Sequence, residues 1–353
     1  MTPLWQEVPP GHDAIDGVPP PSATMTLHGH LRPWQAFREA LSGDRLHHAW
    51  LLQGPQGVGK ATAAFAFARI LSGAGEGGGG GATASFSEAD PIVRQIAIGT
   101  LPGLIHITRP PADRGSGFRT QITVDEVRKL NRFFQATASG PGWRIAIVDP
   151  ADDLNRSAAN ALLKMLEEPP PRSVFLIANH TPGRILPTIR SRCRLLRFEP
   201  LADDDLTKAV ASAHPGSSAD EIGAAVPLSE GSVRQALMLI TSGGIEINRA
   251  LAGLIEAPQP DWNAIQGMLD QLTQKGREAS FDLLVTAFLA AIAGASEARL
   301  NAGDAAGAAL LARLWQEETR RLAKAAAYNL DRKQSLLTLF ERFFAARDGR
   351  RAA

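Results

Sequence analysis

The first stretch able to do chemistry is GPQGVGKAT, residues 54–62. A loop of glycine, four residues, Gly-Lys and Ser/Thr holds phosphates on backbone N–H groups at a helix N-terminus. Its lysine neutralises them and its hydroxyl holds Mg²⁺. Gly54, Gly57, Gly59 and Lys60 meet those needs, but Ala61 stands where the hydroxyl belongs. Thr62 has a hydroxyl, yet on a helix it is turned by about 100° from position 61 and is a poor substitute.

A second group lies in RIAIVDPADDLN, where an apolar run ends in Asp149, the place of a metal-organising carboxylate. Pro150 fills the following place, where a water-activating glutamate would sit. Asp152 and Asp153 come close behind, though carboxylates ahead of SAANALL more simply serve the start of the next helix. In TIRSRCRLLRF, Ser191, Arg192 and Cys193 precede an apolar run. Spacing alone does not separate a solvated arginine cluster from a phosphate-facing one. Cys193 reads as a small buried residue, since no Cys-His pair accompanies it. The pairs His28/His30 and His47/His48 read as structural, because neither further cysteines nor a HExxH pattern is near.

These groups need a frame to hold them. RPWQAFREAL has helical spacing, HHAWLL is a buried strand stopping at Gly54, and ATAAFAFARILSG is a helix closed by Gly73. RIAIVD, SVFLIAN and RLLRF are short buried strands, separated by the helical VDEVRKLNRFF and SAANALLKMLEE. Strands alternating with helices predict a parallel sheet covered on both faces, an α/β domain over residues 27–200. Within it, residues 73–88 read by their glycine content as a flexible insertion without chemistry. The proline-rich residues 1–26 read as a loose tail, with neither the basic region nor the apolar run of a secretion signal. Beyond Pro200 the pattern is helical: three short helices over 201–243, then an Ala- and Leu-rich helical domain over 244–353. The longest apolar run, residues 283–295, is shorter than the roughly 20 residues of a membrane span and reads as a buried helix.

A net charge of +1 over 353 residues gives no general basic field, which weighs against an independent nucleic-acid-binding module. A single cysteine excludes a disulfide framework and a thiolate zinc site, and suits a reducing cytoplasm.

Taken together, LHHAWLLQGPQGVGKAT, IVDPADDLNRSAANALLKMLEEPPPRSVFLIANHTPGRILPTIRSRCRLLRF and GSVRQAL resemble the AAA+ clamp-loader family, and NLDRKQSLL resembles its C-terminal helical region. The resemblance implies an AAA+ P-loop domain, a small helical lid and an all-α collar. It implies a hetero-oligomeric ring with tau/gamma and delta subunits that places the sliding clamp on primed DNA within a DNA polymerase III holoenzyme. It also implies that Arg192, with Ser191 and Cys193, is an arginine finger offered to a neighbour's ATP. Asn179 lies near the family's sensor-1 position, and Arg234 matches sensor 2. Many relatives carry a four-cysteine zinc module after the phosphate loop; here that region has no cysteine, so zinc is not expected. Ala61 and Pro150 depart from the motor subunits and imply a non-hydrolysing stator. The alternative is a tau/gamma-like motor in which Thr62 with Asp152 or Asp153 replaces the missing groups. Lys60 and the loop backbone survive, so ATP binding stays open while hydrolysis is not expected.

Overall fold

The computed structural model describes residues 10–43, 46–77, 83–113, 117–135 and 142–349. In chain order its elements begin with β1 (Thr26–Leu27), α1 (Leu31–Ser42), β2 (Ala49–Gln53), α2 (Lys60–Leu71), β3 (Glu76–Gly77), β4 (Ala84–Phe86) and α3 (Pro91–Ala97). They continue with β5 (Leu104–Ile107), α4 (Val124–Gln135), β6 (Arg144–Val148), α5 (Arg156–Glu167), β7 (Ser173–Asn179), α6 (Pro187–Arg190) and β8 (Arg194–Arg197). The central sheet runs β5-β6-β7-β2-β8, with every neighbouring pair parallel.

The apolar runs form strands here because both faces of the sheet are covered. Trp50 and Leu52 of β2 join Trp34 and Phe37 of α1 and Phe67 of α2 in one core. Ala49 and Leu51 point the other way, toward Val127 and Leu130 of α4 and Leu162 of α5. Parallel register brings the C-terminal ends of β2, β6 and β7 to one edge, where open α/β sheets bind ligands: Gln53 pairs with Asn179, and Val148 with Ile177.

Three features differ from the sequence reading. β5 is a fifth strand, only four residues long and interrupted by His106. The stretch expected to be a flexible insertion contributes β3 and β4 to a small antiparallel sheet with β1; residues 78–82 lie outside the described residues. The N-terminal stretch expected to be loose is anchored in its described part. Arg69 of α2, wholly buried, donates to the carbonyls of Ser22 and Thr24 at 2.7 Å each, because a guanidinium taken from water requires acceptors. Residues 1–9 lie outside the described residues.

After β8 come α7 (Asp203–Ala213), α8 (Ala219–Ala225) and α9 (Val233–Thr241). The chain divides into two compact units within α9, Met1–Leu237 and Met238–Ala353, so residues 201–237 of the expected lid fall in the unit of the sheet and residues 238–243 in the second. The second unit holds α10 (Gly244–Glu256), α11 (Trp262–Leu272), α12 (Glu278–Asn301), α13 (Ala305–Ala327) and α14 (Arg332–Arg347) around Leu284, Phe288, Leu311, Phe340 and Phe343. Its fully buried Glu318 bridges Arg321 and Arg342. The run expected to be a short buried helix lies inside α12, 24 residues long and apolar enough by length and composition to cross a bilayer. A third of its most apolar window is buried within the fold.

Candidate functional site

The glycine loop joins β2 to α2 as the motif requires. Gly54 passes so close to the end of β8 that a Cβ on it would lie 1.9 Å from the Phe198 carbonyl oxygen. Gly57 has φ +81°, and a Cβ there would lie 2.3 Å from Ser232 Oγ and 2.6 Å from Arg234 Cβ. Two glycines thus let the loop leave the sheet and meet the lid. The lid is docked directly: Ser232 Oγ donates to the Gln56 carbonyl at 3.1 Å, and the Arg234 amide donates to that of Gly57 at 3.2 Å. Gly59 precedes the first turn of α2, where Lys60, Ala61 and Thr62 line a cavity shared with Gln56, Gly57 and Arg234.

Lys60 is buried and turned onto its own loop, donating to the carbonyls of Gly54 and Pro55 at 2.7 and 2.5 Å. Burial lowers its pKa to about 8, against the attraction of Asp149 and Asp152. Asp149, just beyond β6, is 9% exposed, and burial with the nearby Asp13 carboxylate raises its pKa to about 7. A cation bound by this carboxyl at neutral pH would have to displace its proton.

The two carboxylates that could replace a missing base line the cavity but already have partners. Asp152 accepts from the backbone N–H groups of His180 and Thr181 at 2.7 and 2.8 Å, holding the turn after β7. Asp153 pairs with Arg109 Nε at 2.5 Å. Asn179 is fully buried and not among the residues lining the cavity: it accepts from Gln53 Nε2 at 2.8 Å and donates to the Thr181 carbonyl at 3.0 Å. His180 takes the place beside Lys60, and burial and that lysine lower its pKa to about 4.

Arg234 reaches the cavity, where its guanidinium donates to the backbone carbonyl of Asp13. Arg192 lies elsewhere, on the turn after α6. Its Nη2 pairs with Glu167 Oε1 at 2.7 Å, and its Nη1 donates to the Thr188 carbonyl at 3.0 Å. The neighbouring Ser191 hydroxyl donates to the same carbonyl at 3.0 Å. Burial pushes the Cys193 thiol up to about 12, as suits an inert packing residue. Sequence reasoning missed His12, Asp13, Arg109 and His180. The last follows directly on Asn179, whereas only folding brings the others here.

The cavity is about 1010 Å³ and lies entirely within the first unit. The loop N–H groups, Lys60, Thr62 and, from the lid, Arg234 line it and are able to meet a nucleotide's phosphates. A family model described as DNA polymerase III, delta subunit matches residues 29–202. The DNA polymerase III subunit delta' of Escherichia coli (strain K12) is 30% identical over 249 residues, 70% of this chain and 71% of that protein.

The chain belongs to the DNA polymerase III delta-prime subunit family. The delta' subunit of Pseudomonas aeruginosa is 37% identical over 165 residues, 46% of this chain and 47% of that protein. The gamma/tau subunit of Mycobacterium tuberculosis (strain H37Rv) is 34% identical over 167 residues, 46% of this chain and 26% of that protein. The chain thus spans about half the length of the first curated relatives it matches.

Proposed function

We propose that this delta-prime family member is the non-hydrolysing stator of a clamp-loader ring. It helps tau/gamma and delta subunits place the sliding clamp on primed DNA, and offers Arg192 to ATP held by a neighbour. The observation that carries this reading is the joint state of the hydrolytic positions. Ala61 has no hydroxyl for Mg²⁺, Pro150 stands in the place of the base, and Asp152 and Asp153 are held by the β7 turn and by Arg109. A motor built on this loop would need one of those carboxylates within hydrogen-bond reach of a water.

Two further observations support the reading. Arg192 and Glu167 are 36% and 42% exposed, and such a pair is worth about 1 kcal/mol or less, so the guanidinium can exchange it for a phosphate at small cost. In the second unit, Trp315, Tyr328 and Leu330 are large apolar side chains left on the surface, as an assembly collar would need.

The test is Arg192→Ala in a reconstituted loader. Turnover at the site this arginine serves should fall about 10³-fold or more while the ring still assembles. Unchanged turnover refutes the finger, and ATP hydrolysis by the purified chain at the rate of an intact loader refutes the stator.

A further inference from the structure

Residues 11–18 fold into two successive turns, Ala14 N–H to the Gly11 carbonyl at 3.2 Å and Val18 N–H to that of Ile15 at 3.1 Å. Every residue of this stretch lines the cavity of the phosphate loop. The Asp13 carbonyl takes the guanidinium of Arg234, which comes from the lid. His12 Nδ1 lies 3.0 Å from Thr108 Oγ1, just past the end of β5. The Asp13 carboxylate lines the same cavity and acts electrostatically on Asp149, Arg109 and His180, which puts a negative charge at that end of the site. Lys60, the cation expected to face phosphate, is meanwhile bonded to loop carbonyls.

We propose that residues 11–18 are a strap across the triphosphate end of the cavity, and that a nucleoside triphosphate binds this chain only by displacing them. The strap supplies what phosphate would otherwise supply: an acceptor for Arg234 and a negative charge beside Arg109. A triphosphate entering beside Asp13 meets like-charge repulsion from that carboxylate. Once the strap leaves, Arg234 can exchange a neutral carbonyl for an anionic oxygen, the stronger acceptor. Apparent affinity is therefore reduced by the fraction of molecules whose strap is open.

The strap can be removed without losing its anchor, because Ser22 and Thr24, the partners of Arg69, lie beyond it. The experiment titrates a fluorescent ATP analogue and the matching ADP analogue, with Mg²⁺, against the full chain. It does the same for a variant lacking residues 2–17 and for a His12→Ala, Asp13→Ala double variant, each checked by thermal melting. The truncation should tighten ATP-analogue binding by about tenfold or more and the double variant severalfold, with a smaller gain for ADP. In the full chain, amide exchange over residues 11–18 should accelerate when ATP is added. Equal affinities in all three proteins, or no binding by any, overturn the strap. The stator reading is tested separately by turnover in the reconstituted ring, so either can fail alone.

Discussion

Replacing Asp149 by asparagine should change how stability depends on pH, in a direction that burial fixes. Asp149 titrates near 7 in the folded chain against the ordinary aspartate value of 3.8, with burial the largest cause and Asp13 the next. Below about pH 4 the carboxyl is protonated whether folded or unfolded, and burial costs it nothing. As pH rises from about 4 to 7 the unfolded chain releases this proton and the folded chain keeps it, so stability falls across that window; the penalty is complete above about 7. A shift of about 3 units corresponds to about 4 kcal/mol. Asparagine has the same shape and no charge to desolvate. The stability difference, Asp149→Asn minus the unmodified chain, should therefore grow by about 2–4 kcal/mol between pH 4.5 and 7.5. Urea unfolding of both proteins across that range measures it, and the subtraction cancels carboxylates common to both. The titration of Lys60, near 8, lies largely above the window. Parallel curves would show that Asp149 ionises normally, and would restore it as a metal-ready carboxylate at neutral pH.

Two further outcomes follow from packing. Gly57→Ala puts a Cβ at positive φ, against Ser232 Oγ at 2.3 Å and the less yielding Arg234 Cβ at 2.6 Å. It should cost about 2–4 kcal/mol and release the lid from the loop, visible as faster amide exchange in residues 232–236; unchanged stability and exchange would deny the docking. Glu318→Ala leaves Arg321 and Arg342 without their shared buried carboxylate and should destabilise the second unit by about 3 kcal/mol. A melting transition unchanged to within a degree would show the bridge contributes nothing.

Much of the frame was legible because its signals are local. The AWLLQ and SVFLIAN runs are apolar throughout, and a strand buried on both faces needs no alternation. The phosphate loop was legible because glycine spacing reports backbone conformation directly. β5 was not, since LIHI is short and carries a histidine, and its strand conformation comes from pairing with β6. β1, β3 and β4 have two or three residues each, too few for a periodic signal.

By itself, the sequence determined which groups this site lacks: no side-chain hydroxyl at Ala61 and no base at Pro150, facts of composition that folding cannot undo. Tertiary structure alone decided where the remaining groups point. It bonded Asn179 to Gln53 of β2, engaged Asp152 and Asp153 with backbone and Arg109, and brought Asp13 to Arg234, 221 residues away in the chain. The reason is that a side chain's partner depends on which strand ends lie side by side. Strand order is set by long-range pairing, and local residue patterns carry no record of it.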